Sequence, residues 1–411
     1  MILENEYRNV RQTTEKLIQN LEPEDTVVQP MGDTSPPKWH LAHTTWFFEN
    51  FILKKYIQKY SSYSNHFDYL FNSYYESQGD RVLRVHRGFH PRPLLKEVLQ
   101  YRSYVDEKII SLLQTNKDPS FHELIELGLH HEEQHQELLL TDLKYIWSHS
   151  PLPLCYNLSN KNDPSKPANR EWFKIESGLI EIGTNDTSFH FDNESPRHKQ
   201  YLYSFEIAST PVTNGEFLEF IESNGYSSFQ YWLQEGFHWS IEQKIQSPLY
   251  WKKESGKWYH FTLNGYCEVN LQEPVTHISF YEADAFAKWK GMRLPTEGEW
   301  EIACETFGSR DTTYNSLESG QFHPTVVTQP NSAFIGQVWE WTYSAYLPYP
   351  NYMPWKGSVG EYNGKFMINQ MVLRGGSCIT PFKHIRSTYR NFFHPSARWQ
   401  FSGLRLVRHE S

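Results

Sequence analysis

Hydrophobic positions follow two regimes along the chain. In the first 150 residues they recur at helical spacing. Leu3, Tyr7, Val10, Thr14, Leu17 and Leu21 predict an opening helix. A second is expected from about Pro36 to Lys55, with Ser35 as N-cap and Pro36 in the first turn. Leu94, Val98, Tyr101, Val105, Ile109 and Leu112 mark a third. The fourth covers Gly128 to Trp147, where Leu124, Leu127, His131, Gln134, His135, Leu138 and Tyr145 share one side. The stretch from Tyr56 to about His90 has no period and is too long to be an idle connection. Residues from Ser148 to about Arg170 are rich in Pro, Ser and Asn and read as a linker. Beyond them the texture changes to short strands and turns. A strand pair is expected at WFKIESGLIEIG, further strands at KQYLYSFEIA and QMVLRGG, and helices at TNGEFLEFIESN and SFYEADAFAKWKG. The expected organisation is a four-helix bundle over 1–150, a linker over 151–170 and an α+β domain over 171–411.

The polar exceptions on the apolar stripes are the candidate chemistry. His131 and His135 lie one turn apart, about 40° out of line, and project from the same face where leucines belong. Alone, such a pair reads better as two satisfied core histidines than as a metal site. His43 changes the balance, because it falls on the inward stripe of Trp39, Trp46, Phe47 and Asn50. Two inward imidazoles from one helix and one from another can close on a single ion. Zn, Fe, Cu and Ni all suit three nitrogen ligands. His40 and His130 project elsewhere and read as outer or surface groups. In the long connection, FNSYYESQGDRVLRVHRG carries the paired phenols Tyr74 and Tyr75. It also carries Arg81, Arg84 and Arg87 at three-residue spacing, which suits a carboxylate-binding fork as well as a solvated basic loop.

Composition narrows the class of partner. A formal charge of −9 argues against a nucleic acid. No apolar run approaches the ~18 residues of a membrane helix, and the N-terminus has no apolar signal core. The four cysteines show no CxxC spacing, so neither a zinc knuckle nor a disulfide framework is suggested. A cytoplasmic setting fits best.

Five ordered motifs in the second half, PVTNGEF, GMRLPTEGEWE, GQVWEW, VLRGGS and FSGLRLVR, resemble the formylglycine-generating-enzyme/sulfatase-modifying domain, whose fold is C-type-lectin-like. That family's enzymes carry a cysteine pair after GGS, at positions matching Thr380 and Ile385 here, while Cys378 sits at another offset. Formylglycine formation at a copper–thiolate site is therefore not expected. In the first half, SPPKWHLAHTTWFFE and HHEEQHQELLL resemble the DinB-like metal-binding bundle. A DinB-like bundle fused ahead of a lectin-like domain is similar to the ergothioneine-biosynthesis sulfoxide synthases.

That resemblance implies an Fe(II) enzyme that uses O2 to join the sulfur of cysteine or γ-glutamylcysteine to C2 of the hercynine imidazole. By resemblance His43, His131 and His135 would be the ligands, Gln134 would contact the hercynine imidazole, and Asn391 would lie near its betaine end. Some members place a catalytic tyrosine shortly before RGGS. Here the nearest is Tyr362, so the chain is assigned to the branch that uses the NSYYE pair, Tyr74 and Tyr75. As neighbours on an extended loop these would point to opposite sides, with Tyr75 expected as the direct donor. The resemblance favours the carboxylate fork for Arg84 and Arg87, Arg81 less so, and free cysteine as the donor. The competing readings are a selenium-donor relative (a selenoneine synthase), a DinB-type thiol transferase using zinc or nickel, and a lectin-like binding module with a closed structural metal site.

Overall fold

The computed structural model describes residues 2–156, 165–309 and 314–409. Much of the expected linker, residues 157–164, lies outside the described residues. The chain divides into two units, Met1–Leu152 with Lys356–Tyr362, and Pro153–Trp355 with Asn363–Ser411.

The first unit is helical. α1 (Ile2–Ile18) and α2 (Pro37–Phe48) are followed by a π-helical turn (Glu49–Leu53) and a short α3 (Lys54–Tyr56). Then come α4 (Asn65–Phe71), α5 (Leu95–Thr115) and the long α6 (Pro119–Ser148). α6 packs on α1 and α2, and α2 also packs on α5. Gly128 permits the close approach of α2 to α6, since a Cβ there would fall 2.5 Å from Phe48 Cε1.

Several local expectations need correction. Ser35 does not cap α2. Pro36 holds the cap position, while the Ser35 N–H donates to Asp142 Oδ2 at 2.7 Å and its hydroxyl accepts from Arg87 at 2.9 Å. The connection after α2 is not aperiodic throughout, because α4 forms within it. On α5 Leu113, not Leu112, is buried, one position round the helix. α6 is buried on more than one stripe because α1 covers its other side. There Glu132 accepts from Arg11 of α1 at 2.8 Å, from Thr14 at 2.6 Å and from Arg102 of α5. Arg11 also reaches Asp106 at 2.7 Å.

The second unit is α+β. β1 (Trp172–Ile175) pairs with β4 (Phe205–Ala208), and β2 (Gly178–Ile182) with β3 (His198–Leu202), all antiparallel. The strands expected as one pair at WFKIESGLIEIG thus belong to different sheets. Side-chain packing chose the partners, which short-range pattern cannot encode. β5 (Trp251–Glu254), β6 (Lys257–Thr262) and β7 (Gly265–Glu268) form a meander. β8 (Trp339–Ala345), β9 (Met371–Arg374), β10 (Asn391–Phe393) and β11 (Ser402–Gly403) form a sheet ordered β10-β9-β8-β11, while β12 (Val407–His409) joins β4. The helices are α7 (Asn214–Glu222), α8 (Gln234–Glu242), α9 (Phe280–Trp289) and α10 (Glu297–Phe307).

The ordered motifs of this half serve the fold. Thr213 with Glu216, Ser279 with Glu282 and Thr296 with Glu299 are reciprocal capping boxes on α7, α9 and α10. Buried ion pairs then lock the motifs together. Arg405 of GLRL binds Glu340 of VWEW at 2.8 Å, and Trp300 Nε1 donates to the same carboxylate at 2.6 Å. Arg374 of VLRGG and Arg390 hold Glu297 at 2.9 and 2.8 Å. Burial alone would raise the Glu297 pKa, but the two guanidiniums outweigh it and hold the carboxyl below its ordinary 4.5. A depressed carboxyl stabilises the fold above its unfolded pKa and loses that contribution as pH falls. Wild-type protein should therefore lose thermal stability below about pH 4.5, and Glu297→Gln should show a shallower acid limb with lower stability at neutral pH. Thermal midpoints between pH 7 and pH 3 check this; parallel acid limbs would contradict it.

Candidate metal centre

His43 of α2 and His131 and His135 of α6 are buried together, each offering a ring nitrogen within 4.8 Å of the others. Their surroundings fix which nitrogens point inward. His43 Nδ1–H donates to the Phe71 carbonyl at 2.6 Å, so the Nε2 lone pair faces the cluster, and among the described residues Nε2 has no hydrogen-bond partner. Its ring lies between two indoles, stacked on Trp39 at 4.5 Å and on Trp46 at 5.6 Å. For His135 a chain of contacts decides. Asp142 Oδ2 lies 3.1 Å from His40 Nε2, and His40 Nδ1 lies 2.9 Å from His135 Nδ1. A carboxylate only accepts, so His40 carries its proton on Nε2 and accepts at Nδ1. His135 must then be Nδ1–H, which leaves Nε2 for a ligand role. His131 rests against Phe47 at 4.6 Å, and among the described residues neither of its nitrogens has a hydrogen-bond partner.

Burial keeps all three rings neutral. It pushes His131 down to about 3, and His43 and His135 well below the ordinary histidine range. Buried polar nitrogens left without partners are costly unless ligated. Neutral imidazoles aimed at one point therefore fit a divalent transition metal.

The arginines of the loop do not converge. Arg81 pairs with Glu76, and Arg84 is exposed and donates to the Asp33 carbonyl. Arg87 alone is buried, and equal spacing in sequence concealed the difference. Its guanidinium lies 3.4 Å from the Trp39 ring centroid and donates to Ser35 and Ser73 at 2.9 and 2.8 Å. Among the described residues its Nε has no hydrogen-bond partner and no carboxylate forms an ion pair with it. Burial, reinforced by Arg84, depresses its pKa well below the ordinary arginine value.

The two phenols do not diverge. The chain turns at Asn72–Tyr75, where the Asn72 side chain donates to the Tyr75 carbonyl at 3.1 Å, and the rings of Tyr74 and Tyr75 lie 4.9 Å apart. Tyr75 packs on Phe51 at 5.0 Å and Trp46 at 5.7 Å. Tyr74 lies 6.1 Å from Tyr362, whose ring is 5.7 Å from His131. Burial raises both phenol pKa values, with hydrogen bonds from Tyr75 and Tyr362 opposing the shift at Tyr74. Tyr362 belongs to the first unit, where neighbouring Glu361 accepts from the Glu76 N–H at 2.9 Å and the Ser77 hydroxyl at 2.6 Å. Gln134 is half-buried on α6 beside His135, and Asn391 is half-buried on β10 of the second unit. His130 pairs with Glu133 at 2.9 Å.

Known proteins match this arrangement over nearly its full length. The DinB superfamily profile covers residues 6–139, and the sulfatase-modifying factor enzyme 1-like domain covers 159–332 and 332–410. The hercynine oxygenase of Mycolicibacterium smegmatis is 30% identical over 410 residues, covering 91% of this chain and 91% of that protein. The hercynine oxygenase of Mycobacterium tuberculosis is 31% identical over 302 residues, covering 67% of this chain and 69% of its own. The chain belongs to the hercynine oxygenase family. It is accordingly an oxidoreductase of ergothioneine biosynthesis. Ergothioneine biosynthesis protein 1 of Schizosaccharomyces pombe is 29% identical over 246 residues, 29% of that protein's length. No helix among the described residues is long and apolar enough to cross a membrane.

Sequence reasoning missed Asp142 as the group orienting His40 and His135. It lies seven residues after His135, two turns along the same face, and that spacing was a usable signal. Nothing local marked Tyr362 as a neighbour of His131.

Proposed function

We propose that the chain is a non-haem iron(II), O2-dependent sulfoxide synthase that joins the sulfur of a thiol donor to C2 of the hercynine imidazole. Supporting this reading is the convergence of three neutral, buried imidazoles in a member of the hercynine oxygenase family. Iron(II) bound by His43, His131 and His135 would supply the O2 and one-electron chemistry. The C2–H and S–H bonds give way to a C–S bond, one oxygen atom ends on sulfur and the other leaves as water. Free cysteine is the preferred donor over γ-glutamylcysteine, and a reducing cytoplasm keeps such a donor as a thiol.

The protein's own groups position the reactants. Arg87, buried without a carboxylate, anchors the donor carboxylate, with Arg84 as a second nearby charge and Arg81 engaged by Glu76. Gln134 orients the hercynine imidazole, and Asn391 serves its betaine end. Tyr74 and Tyr75 keep their protons at Oη, and with Tyr362 they form a phenol chain that ends on His131. In that chain the direct donor shifts from Tyr75 to the Tyr74–Tyr362 end. We place the bundle in 1–150 with Tyr362 added, the linker in 151–170 and the lectin-like domain in 171–411.

Anaerobic protein loaded with Fe(II) should convert hercynine, cysteine and O2 to a product carrying the new C–S bond and one added oxygen, read by mass. If neither cysteine nor γ-glutamylcysteine is consumed together with hercynine, the reading is wrong. Arg87→Met should raise the donor KM by roughly 10- to 150-fold, the equivalent of losing one charge-assisted bond. Arg81→Met should change it little, because an exposed ion pair contributes little. A rise confined to the hercynine KM would count against Arg87. In Tyr74→Phe/Tyr75→Phe, products should move from sulfoxide toward cysteine sulfinate while both substrates still bind. An unchanged product ratio in this double variant would remove the phenols from the mechanism.

A further inference from the structure

The second unit holds another cluster of metal-ligating side chains. His260 of β6, Glu273 from the loop after β7, and His323 each offer a ligand atom within 4.8 Å of the others. His323 Nε2 lies 3.2 Å from Glu273 Oε2, and the His260 and His323 rings meet edge to face at 5.0 Å. His260 is buried, and the other two are partly exposed, so the group is fixed yet reachable from solvent.

The three segments that supply these groups are separately pinned. The Glu273 carbonyl accepts from the Asn214 N–H at 2.8 Å, and its Oε1 accepts from Asn270 at 3.2 Å. The His323 carbonyl accepts from Asn315 at 2.8 Å, and Asn264 in the β6–β7 turn donates to the Gln321 carbonyl at 3.0 Å. Between them Phe322 is held at φ 50°, a left-handed conformation rare for a bulky residue. It packs on Tyr156 at 5.4 Å. Such strain persists where the surroundings impose a side-chain direction, and here the next residue is His323. The antiparallel register sets Cys267 opposite His260, so the thiol shares the face of that imidazole.

From this geometry we infer a second divalent-metal site, of zinc type, with His260, Glu273 and His323 as ligands. Two imidazoles and a carboxylate are a donor set that zinc accepts, with ligand atoms roughly 3.3 Å apart in a tetrahedral shell. His323 Nε2 and Glu273 Oε2 already lie 3.2 Å apart, and all three ligand atoms lie within 4.8 Å of one another. Cys267 or water completes the fourth position. The site clips three segments of the second unit, and it shares no ligand with the centre formed by His43, His131 and His135.

Cobalt(II) is the probe, because its visible absorption reports coordination. Metal-stripped full-length protein should bind two equivalents of cobalt. The triple variant His43→Ala/His131→Ala/His135→Ala should keep one, and His260→Gln/His323→Gln should lose the one that the triple variant keeps. Glu273→Gln, which leaves the backbone bonds of the loop in place, should weaken that equivalent by more than the roughly 10- to 100-fold that an outer-sphere substitution costs. The inference is overturned if the triple variant, shown folded by circular dichroism, binds no cobalt. It is equally overturned if Glu273→Gln and His260→Gln/His323→Gln bind cobalt as wild type does.

Discussion

Replacing His131 by alanine is expected to abolish tight iron binding and turnover while leaving a folded chain. The argument rests on what the ring does without metal. Among the described residues neither nitrogen of His131 has a hydrogen-bond partner, so truncation orphans no other polar group there. What is lost is packing against Phe47 and Tyr362, offset by removal of two buried polar atoms. The metal-free variant should thus unfold close to wild type, whereas divalent metal should raise the wild-type midpoint and not that of His131→Ala. His43→Ala and His135→Ala should lose metal equally, but each also frees a partner, the Phe71 carbonyl or His40. Lost affinity should exceed the roughly 10- to 100-fold cost of deleting an outer partner such as Asp142. Any one of the three variants that keeps wild-type iron content and turnover would remove that residue from the ligand set.

How much of this was legible follows from where each residue's environment is decided. Histidines on a leucine stripe are visible because a helix sets their direction locally, and two helices sufficed to name His43, His131 and His135. The environment of Arg87 is tertiary. Its buried place depends on Trp39 and Ser35, residues about fifty positions away, so three evenly spaced arginines looked alike. Tyr362 was beyond reach for the same reason, since Glu361 ties its segment to the loop at Glu76. In the second half, the helices expected from pattern are α7 and α9, whereas α10 was not foreseen although Thr296 and Glu299 open it with a capping box. Strand partners were not legible either, because pairing depends on what packs against each face. The largest silent feature was the buried polar layer of α6. No pattern in the sequence singles out Arg11 of α1 or Glu132 of α6, whose burial is decided only when α1, α5 and α6 pack together.

That layer carries the second large effect. Glu132 joins three helices, accepting from Arg11 and Thr14 of α1 and from Arg102 of α5. Burial would raise its pKa, yet the two guanidiniums hold it at about 2. Glu132→Ala removes the shared anion and leaves both cations buried, with Arg11 keeping Asp106 and Arg102 keeping Glu15 at 3.2 Å. Breaking a buried pair in this way costs about 3–5 kcal/mol. Against a typical stability of about 5–15 kcal/mol this is a large fraction, and the bundle's unfolding midpoint should fall by roughly 10 °C or more. Because Glu132 follows His131 directly, the variant should also lose metal, but by loosening α6 rather than by removing a ligand. Two readouts separate these routes. Saturating metal should recover much of the lost stability in Glu132→Ala, whereas it cannot in His131→Ala. Replacing the whole cluster, Arg11→Met/Arg102→Met/Glu132→Leu, should restore stability toward wild type, since an apolar replacement of a buried ion cluster is often neutral. A Glu132→Ala midpoint within about 2 °C of wild type would mean that water or a shifted Arg102 already compensates the carboxylate. α6 would then be held by its apolar contacts alone.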